Sequence, residues 1–249
     1  MFILRDLQSR YKNSWGGLFW LVIQPVILLS IYTVVFQQIL GVKWGTQNSS
    51  SIDFALNLYL GLVVFNIFSE SIQAAPTVLR NHSNLIKKIR FPIRILPAIP
   101  VGTALCDAVL GLVVWQVIYI LVLGSPPISV LYLPLVLLPL ILFVMGLCWI
   151  VASLSAYVRD FTQIVRFVVT ALLFLSPIFF PLQSMPQDWQ WILAFNPLAI
   201  EIEMLRGIMI GGITPAWDSY FGFLGLSIFV YGAGFYWFEF TSDGFVDVL

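Results

Sequence analysis

The apolar positions of this chain fall into six long blocks separated by short polar ones: residues 18–40, 54–74, 95–123, 130–156, 167–182 and 220–240. A helix over 18–40 rises about 34 Å, enough to cross a hydrocarbon core of about 30 Å. The blocks therefore predict an all-α polytopic membrane protein with six transmembrane helices, forming one domain over residues 1–249. Proline punctuates them. Pro25 kinks the first, Pro97 and Pro100 break the start of the third, and Pro126 and Pro127 lie in a tight turn before the fourth. The fifth ends at Pro177 and Pro181. No internal repeat is visible, so an inverted-repeat transporter is not supported.

The segments between the blocks are more informative. In residues 1–15, Leu4, Leu7, Tyr11 and Trp15 recur at three/four spacing beside Arg5, Arg10 and Lys12, which predicts an amphipathic helix in the headgroup plane, the alternative being a solvated lead-in to the first span. Residues 79–94 hold the basic cluster of the chain: Arg80, Lys87, Lys88, Arg90 and Arg94, with no acid among them. Leu79, Leu85, Ile86 and Ile89 add apolar positions at helical spacing, so a short helix parallel to the membrane is expected. It serves either to set topology or to dock a cytosolic partner. Residues 183–217 are of intermediate polarity. Trp189, Trp191 and Phe195 make the first part aromatic, and Asn196-Pro197 breaks it, because a proline disfavours a helical residue before it. A second helix then carries Glu201, Glu203 and Arg206, of which Glu203 and Arg206 are spaced to pair. Gly211-Gly212 ends it. Two short helices at an outer interface follow, as an ordinary interfacial hairpin or as an exit gate.

Composition agrees: 60% of residues are hydrophobic and 10% charged, with a mean hydropathy of +0.96, whereas a soluble domain carries about 25% charged residues. The net charge is zero, so nothing in the charge balance points to nucleic acid. Ten Lys and Arg residues fall in segments placed inside if the N-terminus is inside, against two, Lys43 and Arg206, in the outer ones. Both termini are therefore expected in the cytoplasm. Cys106 and Cys148 lie in apolar runs without metal or disulfide spacing and read as small hydrophobes. There is one histidine, His82, no phosphate-binding Gly-x-x-x-x-Gly-Lys-[Ser/Thr] loop, no nucleophile elbow and no paired acids; Glu201 and Glu203 point to different helix faces. No catalytic site is expected. Asp107, a dozen residues into the third span, should face protein or water, and Glu70 reaches the interface. Aromatic residues make up 16% of the chain; Tyr32 with Phe36 and Trp115 with Tyr119 are spaced to stack, chiefly as packing.

Several stretches together resemble the ABC-2-type permeases that export polysaccharides. Arg5-Asp-Leu-Gln-Ser-Arg-Tyr-Lys-Asn-Ser14, Gly17-Leu-Phe-Trp20 and Gln24-Pro25 are similar to the opening of that family. Asn84-Leu-Ile-Lys-Lys-Ile-Arg-Phe-Pro92 is similar to its first cytoplasmic loop. Arg159-Asp-Phe161, Ser176-Pro-Ile-Phe-Phe-Pro181, Asn196-Pro-Leu198 and Arg206 follow in the family's order, and the resemblance covers nearly the whole chain. Four residues precede Arg5-Asp6, fewer than the family carries there, which implies a short or incomplete interfacial helix.

The resemblance implies a homodimer of six-span subunits in the bacterial inner membrane, in contact with membrane lipid and with no nucleic-acid partner. Two copies of a separate ATPase would bind ATP and Mg, and this chain would bind no cofactor. A coupling helix at 77–89 would seat in the ATPase, with Leu79, Asn81, Asn84, Leu85, Ile86, Lys87, Lys88 and Ile89 as its contact residues. The N-terminal helix would border the entrance for a polyprenyl-pyrophosphate-linked glycan, and Arg5, Arg10 and Lys12 suit the pyrophosphate. Residues 183–217 would match the family's periplasmic gate helices, with Trp189, Trp191, Phe195, Asn196, Pro197, Glu203 and Arg206 as gate residues. The alternatives are an ABC-2-type exporter of a drug or small lipid and a membrane scaffold that transports nothing.

Overall fold

The computed structural model describes residues 23, 26, 27, 30–39, 41, 44, 51–83, 92–158, 160–181 and 196–245. Among them every regular element is helical. After a π-helical stretch, Thr33–Ile39, come α1 (Ser51–Asn81), α2 (Ala98–Leu123), α3 (Leu133–Tyr157), α4 (Phe161–Phe174), α5 (Pro197–Met209) and α6 (Trp217–Ser242). Short 3-10 turns, Ile93–Ile95 and Ile128–Tyr132, lead into α2 and α3.

Four stretches are long and apolar enough to cross a membrane: Ser51–Asn81, Ile93–Leu123, Ile128–Tyr157 and Trp217–Ser242. They match the second, third, fourth and sixth predicted spans with shifted ends. α1 runs past residue 74 because Pro76 is accommodated inside the helix, where it is buried. The segment predicted as a fifth span, 167–182, is not one helix. α4 begins earlier, at Phe161, and ends at Phe174, and the chain from Ser176 to Phe180 turns without helix. The described residues of the first span, around Ser30–Ile39, are helical; residues 1–22 lie outside the described residues.

α1 is the hub. It packs against α2, α3, α4 and α5, and its buried face includes Leu58, Leu60, Val64 and Ile67. α2 runs antiparallel to it, so that late α2 meets early α1: the indole of Trp115 donates to Leu56 O at 3.1 Å. Trp115 stacks on Tyr119 at 5.1 Å, and Tyr32 meets Phe36 edge-on at 6.3 Å, as spaced. Both Trp115 and Tyr119 are buried, so they serve packing. α3 and α6 run parallel and form the most extensive helix pair. They touch backbone to backbone, since a Cβ on Gly146 would meet Val230 and Tyr231, and one on Gly234 would meet Gly146 itself. Small residues permit this approach where helices cannot gain by expelling water.

The bundle thus has two ends. One carries the start of α1, the end of α4, all of α5 and the start of α6. The other carries the end of α1, the start of α2 and the ends of α3 and α6.

Candidate functional site

At the first end, α5 is built to start and stop sharply. Asn196 caps it: Oδ1 accepts from the Leu198 backbone N–H at 3.0 Å, and Pro197 supplies a first residue with no amide to satisfy. The same Asn196 reaches outward, where Nδ2 donates to Leu175 O at 3.1 Å and to Ser176 Oγ at 3.0 Å. One side chain therefore caps α5 and ties it to the end of α4. At the other end of α5, Gly212 takes a positive φ of 65°, and Ser129 Oγ donates to Ile208 O at 2.6 Å.

Arg206 closes the arrangement. It is 5% exposed. Nε donates to Asn57 O at 3.1 Å, Nη1 to Pro177 O at 2.7 Å and to Glu203 Oε1 at 3.0 Å, and Nη2 to Ile178 O at 3.1 Å. The Trp44 ring covers the guanidinium at 4.3 Å, a favourable cation–π position. Three backbone carbonyls from α1 and the 176–180 turn, one carboxylate and one indole face thus converge on one cation. Burial lowers the Arg206 pKa to about 10 and Glu203 opposes that shift, so the guanidinium stays charged at neutral pH. The non-helical turn after α4 explains the carbonyls: with its amides outside any helix ladder, Pro177 and Ile178 keep acceptors free for the arginine. The predicted Glu203–Arg206 pair forms. The spacing did not announce that Arg206 is buried among segments up to 149 residues away.

Asn196, Pro197, Glu203 and Arg206 are therefore brought together, while Trp189, Trp191 and Phe195 lie outside the described residues. Two further residues belong to this group and were not singled out from sequence. Gly61 makes room for the guanidinium, and Asn57 supplies its carbonyl; neither residue type carries a local signal.

The opposite end carries the flanks of the basic stretch. Thr77–Asn81 continue α1, so the first turn of the expected 77–89 helix is the end of a span. Leu79 is 1% exposed and packs with Leu96, Trp149, Phe238 and Phe245; its side chain faces inward, whereas Asn81 is exposed. Arg80 Nη2 donates to Ser155 O at 2.6 Å. On the returning side, Trp149 Nε1 donates to Arg94 O at 3.0 Å, and Arg94 pairs with Glu239 at 3.1 Å. Both flanks are thereby fastened to α3 and α6. Asn84, Leu85, Ile86, Lys87, Lys88 and Ile89 lie outside the described residues, as do Arg5, Arg10 and Lys12. Asp107 is half-buried, and among the described residues no cluster of metal-ligating side chains occurs.

The chain matches the ABC-2 type transporter family over residues 1–210. It is 28% identical over 198 residues to an O-antigen export system permease protein, RfbA, of Myxococcus xanthus, covering 79% of this chain and 74% of that one. It is 25% identical over 233 residues to an RfbA of Klebsiella pneumoniae, covering 92% and 86%. To the polysialic acid transport protein KpsM of Escherichia coli it is 25% identical over 217 residues, covering 84% and 80%. With four helices long and apolar enough to span a bilayer and a family match across most of its length, this chain belongs to the ABC-2 type transporters.

Proposed function

We propose that this chain is the permease subunit of an ATP-driven exporter that moves a polyprenyl-pyrophosphate-linked polysaccharide out of the cytoplasm. The observation that carries the reading is that permeases of O-antigen and polysialic acid transport align along most of the chain. Two copies, each with six spans, sit in the bacterial inner membrane with both termini in the cytoplasm, and the excess of Lys and Arg in the inner segments supports that orientation. Two ATPase subunits supply ATP and Mg chemistry. The basic stretch docks them through Asn81, Asn84, Leu85, Ile86, Lys87, Lys88 and Ile89, and Leu79 anchors the stretch from within. Arg80 and Arg94 carry its movement into α3 and α6.

Arg5, Arg10 and Lys12 meet the pyrophosphate at the entrance. Gln163, Arg166 and Thr170 form an exposed polar stripe on α4, opposite buried Val165 and Val169; a polar stripe on a membrane helix suits a watered path. α5 is the outer gate, held shut by Asn196 and Arg206 together with Trp189, Trp191 and Phe195 of the preceding segment.

The test is co-purification with the ATPase and measurement of ATP turnover with Leu85, Ile86 and Ile89 changed to Ser. Loss of permease-stimulated turnover is expected, and unchanged stimulation overturns the docking assignment. For the entrance, charge reversal at Arg10 and Lys12 should remove surface glycan from cells that still assemble the complex.

A further inference from the structure

Glu201 takes no part in the clamp around Arg206. It lies on the face of α5 that carries Leu198, Met204, Leu205 and Ile208 at helical spacing, all buried. Its own exposure is 0%. Both carboxyl oxygens are buried and accept no hydrogen bond among the described residues.

Among the described residues, the elements packed against α5 are α1, α3, the Ile128–Tyr132 turn and α6. α3 carries no Asp, Glu, Lys or Arg. On α6 the group that interacts electrostatically with Glu201 is Tyr220, whose hydroxyl is committed to Leu135 O at 3.3 Å. The turn contributes Tyr132, and the half of α1 nearest α5 contributes Asp53 and Tyr59. On α5 itself Glu203 and Arg206 are engaged with each other. Among the described residues no cation is directed at Glu201. An ionised carboxylate in such an enclosure is cut off from bulk solvent and has no counter-charge among the described residues, which is far costlier than a buried neutral acid.

We propose that Glu201 is a proton-binding site that couples the opening of α5 to the pH outside the membrane. The carboxyl is protonated while α5 is docked, and it gives its proton to water when α5 lifts. This rests on reading α5 as a gate that moves. Burial pushes the Glu201 carboxyl well above the usual carboxylate range, and exposure to water returns it to about 4.3. The docked state binds one more proton than the lifted state between those two values, so acid holds the gate shut. Raising the pH through that window favours opening by up to about tenfold per pH unit.

The experiment uses the full chain with its ATPase in vesicles, with α5 facing the bath. Ser129→Cys, with Cys106 and Cys148 changed to Ala, reports lifting, because Ser129 is buried against Ile208. The probe is a charged, membrane-impermeant maleimide, and the measurement is its reaction rate with Cys at 129 with and without ATP, divided at each bath pH by its rate with the same cysteine in the denatured protein, because thiolate formation alone speeds the addition as pH rises. The expected result is a normalised rate that rises with pH in the Glu201-containing protein and in Glu201→Asp, and a low, flat normalised profile in Glu201→Gln. A rate that responds to ATP but not to pH overturns the proton site and leaves the gate standing. A rate that responds to neither overturns both. The Glu201-containing protein alone is decisive, so misfolding of a variant does not rescue the proposal.

Discussion

The guanidinium of Arg206 occupies the space where a side chain on residue 61 would begin: a Cβ built on Gly61 stands 2.8 Å from Nη2 and 3.3 Å from the Cα of Ile178. The second contact is backbone and does not yield easily. Gly61→Ala should therefore push the 176–180 turn and Arg206 away from α1 together. A cost of about 1–3 kcal/mol is expected, as for other overpacked sites, read as a lower midpoint of thermal unfolding in detergent. An unchanged midpoint together with unchanged export means the turn is looser than its hydrogen bonds imply.

Arg206→Lys keeps the charge and loses the fork. A single ammonium cannot reach the carbonyls of Asn57, Pro177 and Ile178 at once, so two or more buried acceptors lose their partner, at about 1–3 kcal/mol each. Glu203→Gln should cost less, about 1 kcal/mol, because that carboxylate is 37% exposed and exposed pairs contribute little. The order to find by thermal unfolding is native, then Glu203→Gln, then Arg206→Lys. The reverse order makes the carboxylate, and not the carbonyls, the arginine's main partner.

Asn196 caps and clamps, and two substitutions separate the roles. Asn196→Ala removes both and should cost upwards of about 1 kcal/mol. Asn196→Asp keeps the cap acceptor but has no N–H for Leu175 O or Ser176 Oγ. If the clamp matters, Asp resembles Ala in weakening export. An aspartate variant that exports normally assigns the residue to capping alone.

Leu79 and the trio Leu85, Ile86 and Ile89 should part company. Leu79→Ala leaves a cavity in the cluster with Trp149, Phe238 and Phe245 and should cost about 2–5 kcal/mol, seen as poor yield of folded protein. Serine at the other three should spare folding and abolish ATPase stimulation. Equal folding defects in both variants would place all four residues in the core.

What the sequence made legible follows from how local each cause is. Span length and apolarity act within one helix, so four helices were foreseeable. The Asn196-Pro197 start and the Glu203–Arg206 pairing are also local, acting over two and three residues. The burial of Arg206 is not. Its partners Asn57, Pro177 and Ile178 come from other segments, and nothing near residue 206 records them. The fifth block misled for a related reason. Apolarity continues through 175–181, but the backbone there leaves the helix and offers its carbonyls to Arg206, a choice decided by a residue about thirty positions away. At α1 the difference was the opposite: the predicted span ended at residue 74, and the helix runs on to Asn81 with Pro76 inside it.

The glycine contact between α3 and α6 limits where motion can occur. Two backbones that touch with no side chains between them have no layer that can shear, and the pair is pinned again by Ser153 with Thr241 at 2.6 Å and by Tyr157 with Thr241 O at 2.7 Å. These two helices act as the chassis of the subunit. If an ATPase docks on the basic stretch as proposed, a power stroke arriving through Arg80 and Arg94 would be delivered to that chassis as a whole and would move it against its neighbours without bending it. The compliant seam is then the one around the short α4, which packs far less extensively on α1 and α3 than those two helices pack on one another, and it is there that differences between working states of the transporter should be largest.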